Sequence, residues 1–74
     1  MHMNGEPTRI IEWIHGDLCV VKVVVDAIAI AGDVESPYIK PAVARHLEHI
    51  QTLADQGKID ELSLLGVVYV RQTA

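Results

Sequence analysis

Two histidines three residues apart, His46 and His49 in the run HLEH, come nearest in this chain to a metal-ligand spacing. Residues three apart on a helix share a face, so the two imidazoles would lie close together. With a carboxylate or a third imidazole they would suit zinc or nickel. His15 and Glu48 are the available helpers, but His15 falls at the end of a hairpin and Glu48 projects away from the pair. His46 also borders the apolar stripe of its helix, where a half-buried histidine satisfied by one hydrogen bond is the commoner arrangement.

The remaining chemistry-bearing side chains read as structural. Cys19 is the single cysteine and sits between Leu18 and Val20. A nucleophilic thiol needs a nearby cation or helix N-terminus and access to solvent, so burial as a small apolar residue is expected. Asp33 and Glu35 precede one possible helix start, and Asp60 and Glu61 lie in a short second helix. Acidic residues in such places cap a helix or complement its dipole, and without an organising cleft they do not make a general acid–base pair. Trp13, Tyr38 and Tyr69 are the only aromatics, too scattered for a base-stacking platform. Trp13 reads as a core anchor, and Tyr38, in a loop beside Pro37 and Pro41, as a contact for a partner.

Composition narrows the function classes. The formal charge is −4 and Lys and Arg form no cluster, so the field around the molecule repels nucleic acid and anionic lipid. A helix, a glycine turn and a last strand imitate part of a winged helix, yet the polar helix face is Glu48, Thr52 and Asp55 with only Arg45 basic. The longest apolar run, Leu18 to Ile30, contains Lys22 and Asp26 and is well short of the ~20 residues that cross a bilayer. The stretch MHMNGEPTR has neither the basic region nor the apolar core of a signal peptide. A lone thiol in an apolar segment fits a reducing cytoplasm. The chain shows no dinucleotide fingerprint, phosphate loop, nucleophile elbow or paired C-x-x-C. No cofactor is expected.

The elements that must position these residues follow from periodicity. Residues 1–8, with Asn4, Gly5 and Pro7, read as a flexible lead-in to a single domain over 9–72. Arg9 to His15 reads as a strand, and the five valines among residues 20–25 make Leu18 to Ile30 a long second one, since β-branched side chains disfavour a helix. One side of that strand is wholly apolar: Cys19, Val21, Val23, Val25, Ala27 and Ala29. A connection through His15-Gly16-Asp17 sets Ile14 opposite Leu18, Trp13 opposite Cys19 and Ile11 opposite Val21. Tryptophan then joins the apolar side, whereas a loop shorter by one residue exchanges the faces and puts Glu12 among the valines.

Residues 31–37 carry the glycine, proline and short polar residues of a loop. A helix begins at Pro41, where a missing N–H does no harm, or alternatively at Pro37 with Ser36 as cap. Over 41–56 it aligns Val43, Leu47, Ile50 and Ala54 in one stripe, flanked by Leu53 and Ala42, and Gly57 suits its C-terminal turn. Lys58 to Leu65 reads as a short second helix closed by Gly66, and Val67 to Arg71 as a third strand.

The expected architecture is α+β: a three-stranded antiparallel sheet in the order β-β-α-(short α)-β, with its helices packed on one face. The other face is left open, with Ile10, Ile14, Leu18, Val20, Val24 and Ile28 around Glu12, Lys22 and Asp26. A chain of 74 residues, half of them hydrophobic, has too little mass to cover both faces. The reading is a small non-enzymatic cytoplasmic protein that acts as a homodimer or as a subunit of an assembly with a protein partner, those six residues and Tyr38 forming the interface. A metal-binding module using His46 and His49 is the alternative.

Overall fold

Valine-rich sequence and alternating burial give the chain its central strand. In the computed structural model, which describes residues 5–30 and 33–72 and the side chains of all of these but 33–36, Cys19–Ile30 is extended as β2. Its partner β1, Gly5–His15, runs antiparallel over eleven consecutive residue pairs from Gly5↔Ile30 to His15↔Val20. Of the expected lead-in, residues 1–4 lie outside the described residues, and 5–8 belong to β1. Residue by residue, Cys19, Val21, Val23, Val25 and Ala27 are buried while Val24 and Asp26 are exposed. That alternation is the period of a strand with one covered face.

The other edge of β2 is shared. β4, Val67–Val70, pairs with Cys19–Lys22, and β3, Asp33–Tyr38, pairs through Ile30↔Asp33 and Ile28↔Tyr38 with a bulge between them. The sheet therefore has four strands, all antiparallel, one more than expected. The extra strand, β3, is short and irregular and contains Pro37, which is tolerated at an edge where no ladder bond is asked of it.

The helices lie on one face. α1 spans Pro41–Asp55, starting where proline allows, with Lys40 extended before it and the Ala44 amide bonded to the Lys40 carbonyl. It ends in a Schellman turn: Gly57 has φ of 69°, its amide bonds the Ala54 carbonyl, and the Lys58 amide bonds the Leu53 carbonyl. The short α2, Ile59–Leu62, follows. The core lies between this layer and the sheet, where Ile50, Leu53, Ala54 and Leu62 meet Ile14, Cys19, Val21, Val23 and Val25.

The hairpin register differs from the expected one. The last ladder pair is His15↔Val20, and beyond it the Gly16 amide bonds the Cys19 carbonyl at 2.8 Å, leaving Asp17 and Leu18 as the tip of a connection of even length. A connection of even length exchanges the faces of β1 relative to one of odd length. Ile14 consequently stands opposite Val21 under the helix, and Trp13 stands opposite Lys22 on the far side. Close approach of helix and hairpin gives the reason. A β-carbon on Gly16 would lie 2.5 Å from the Ala54 carbonyl oxygen, and the Gln51 side-chain amide donates to the His15 carbonyl at 2.9 Å. An indole in the place of Ile14 would hold α1 away from this contact.

Candidate functional site

The residues that face away from the helices form a surface that can be built row by row from the strand register. His15, Val20 and Tyr69 make the first row; Trp13, Lys22 and Val67 the second; Ile11 and Val24 the third; Arg9 and Asp26 the fourth; Pro7, Ile28 and Tyr38 the last. Ile11, Trp13, Val24, Val67 and Tyr69 are each between 51% and 55% exposed. The rings of Trp13 and Tyr69 pack on one another across β2, with centroids 6.1 Å apart and planes tilted by 39°. Such a tilted pair brings two amphipathic rings into one rigid patch. The charges are sparse and lie within it: Lys22 is half-buried, and Arg9 Nε stands 3.7 Å from Asp26 Oδ1. Both members of that pair are largely exposed, so it orients the side chains without holding the fold together.

The outward face keeps Val20, Val24, Ile28 and Tyr38 from the expected interface and replaces others. Ile14 is buried in the core and Ile10 is half-buried against it, both carried to the helix side by the register. Leu18 lies in the hairpin connection with its side chain toward Gly57 at the end of α1. In their place stand Ile11, Trp13, Val67 and Tyr69. Trp13 is thus half-exposed and not a core anchor, while Glu12 lies half-buried opposite Val23 on the covered face. The signal that finds these residues is loop parity: an even number of residues at the hairpin tip, Asp17 and Leu18, assigns every side chain of β1.

The chemistry-bearing residues stay apart. His46 and His49 are both exposed on α1, and among the described residues no group of three or more His, Cys, Asp or Glu side chains lies close enough to hold a metal ion. Cys19 is buried beneath the helix with a free thiol. Asp60 and Glu61 are exposed in the first turn of α2, where their charge complements its N-terminus. The side chains of Asp33 and Glu35 lie outside the described residues. A cleft of about 470 Å³ at the open end of the hairpin is lined by Gly5, Pro7, Ala27, Ile28 and Val43, with Asp26 and Lys40 as its charged members. Among the described residues it gathers no nucleophile and no histidine. No helix among the described residues is long and apolar enough to cross a membrane.

No protein-family model, curated protein or solved structure matches this chain.

Proposed function

We propose that this chain is a small non-enzymatic protein that works by association, pairing with a second copy of itself or serving as a module of a larger assembly through its outward sheet face. The observation that carries the reading is the half-exposed apolar group Ile11, Trp13, Val24, Val67 and Tyr69 on a sheet whose other face is already occupied by helices. A radius of gyration of 14.6 Å, against about 11 Å for a compact chain of this length, supports it, because an elongated molecule leaves more of its sheet uncovered.

The magnitude points to a moderate complex. Covering the remaining half of those five side chains in both copies gains about 8–15 kcal/mol, which is offset by about 4–15 kcal/mol of lost translational and rotational freedom. The two ranges overlap, so an association that depends on concentration is expected. A net charge of −4 favours a protein partner over a polyanion, and the buried free thiol of Cys19 fits a reducing cytoplasm.

Light scattering coupled to gel filtration, run over a concentration series, tests the reading. A dimer that dissociates on dilution is expected, and Val24→Asp should abolish it, with a cooperative melt of the dilute variant showing that the monomer remains folded. A wild-type chain that stays monomeric at high micromolar concentration removes self-pairing and counts heavily against the reading.

A further inference from the structure

The order of residues along the outward face distinguishes between the ways two copies can meet. In the aligned packing of two sheets face to face, strands lie within about 30° of one another at a separation of about 10 Å. A two-fold axis lying between them runs either along the strands or across them. An axis along β2 sets each β2 residue over its own counterpart, so Lys22 meets Lys22 and Asp26 meets Asp26, and like charges brought together oppose association. An axis across the strands reverses the order of rows. If it passes through the Ile11–Val24 row, everything two residues to one side meets what lies two residues to the other. Lys22 then faces Asp26 of the second copy, and Trp13 faces Arg9.

We infer that the chain forms a two-fold face-to-face homodimer about this transverse axis, with Ile11 and Val24 at its centre and two symmetric Lys22–Asp26 contacts beside them. The inference deepens the association reading and rests on it. Four features of the face agree. Lys22 and Asp26 are the oppositely charged pair of β2, each two residues from Val24. Trp13 and Arg9 stand at the same steps on β1, where a guanidinium over an indole adds a cation–π contact. The next row on either side is apolar at β2, Val20 on one and Ile28 on the other, so that meeting tolerates displacement. Arg9 already lies beside Asp26, and Lys22 of the second copy would complete a cluster of two cations around one carboxylate.

The geometry bounds the effect. Two residues along a strand are about 7 Å, so an inclination of about 30° displaces facing positions in the inner rows by about 3–4 Å, within reach of lysine and arginine. The eleven-pair ladder of β1 and β2, with the four paired residues of β4 beside one end of it, makes a footprint of roughly 400 Å² in projection. That is at the small end of specific interfaces, where charge order has weight in setting orientation.

Sedimentation equilibrium on the intact chain tests this with Lys22→Glu, Asp26→Lys and the double exchange. Each single reversal should weaken the dimer tenfold or more, because the altered contact occurs twice, and the double exchange should return it to within about threefold of wild type. Circular dichroism melts establish that each variant is folded, and the milder Lys22→Gln and Asp26→Asn should shift the constant in the same direction by a smaller factor. A dimer broken by Val24→Asp but indifferent to these charges keeps the association reading and overturns this arrangement. So does a double exchange that fails to restore pairing. A dimer indifferent to Val24→Asp as well places the contact off this face and overturns both.

Discussion

Ile11 and Ile14 are the same residue type on the same strand, three positions apart, and the structure puts them on opposite faces. Ile14 is 7% exposed and packs in the core, whereas Ile11 is 52% exposed. Truncating each to alanine deletes the same atoms, so the difference in cost reports the hairpin register and little else. Ile14→Ala removes a fully buried side chain and leaves a cavity, at about 2–5 kcal/mol. Ile11→Ala loses only the transfer energy of a half-covered side chain, about 1 kcal/mol, with no cavity. At about 4–8 °C per kcal/mol for a domain of this size, Ile14→Ala should melt at least roughly 10 °C below wild type and Ile11→Ala by about 4–8 °C. The assay is thermal unfolding followed by circular dichroism at dilution, where copies no longer associate and Ile11 is not protected by a partner. The expected order reverses if the hairpin turns through His15-Gly16-Asp17, because Ile11 then faces the helix. An Ile11→Ala variant that melts below Ile14→Ala refutes the register, and with it the composition of the outward face.

Gly16→Ala places a methyl group 2.5 Å from the Ala54 carbonyl oxygen and should destabilise by about 1–3 kcal/mol as α1 is pushed off the hairpin, and an unchanged melting temperature would show that this close approach is not sustained in solution. Because His46 and His49 are without a third ligand among the described residues, zinc should leave the melting temperature within a degree or two of its value in chelator, and a metal-dependent rise lost in the double variant His46→Ala/His49→Ala would reinstate a metal centre.

The core was legible because it depended on period alone. Valines at alternating positions of β2 announce a strand with one covered face, and Cys19, Val21, Val23, Val25 and Ala27 are buried as that pattern requires. The helix was legible for a similar reason, its start at Pro41 and its stop at Gly57 being properties of those residues' own backbones. β3 was not. Its residues carry loop chemistry, and they lie extended where the free edge of β2 offers Ile28 and Ile30 as partners, an interaction no local window contains.

The sequence by itself determined that a strand with two apolar faces and a single amphipathic helix would occur in one small chain. An excess of apolar surface over covering mass follows from counting residues. Which side chains form that surface was decided only in three dimensions. Trp13 and Ile14 differ by one place in the chain, and the choice between them turns on whether the hairpin connection holds an odd or an even number of residues. That number is settled by how closely α1 can seat on Gly16, since sheet side chains alternate with a period of two and one residue of slip reassigns all of them.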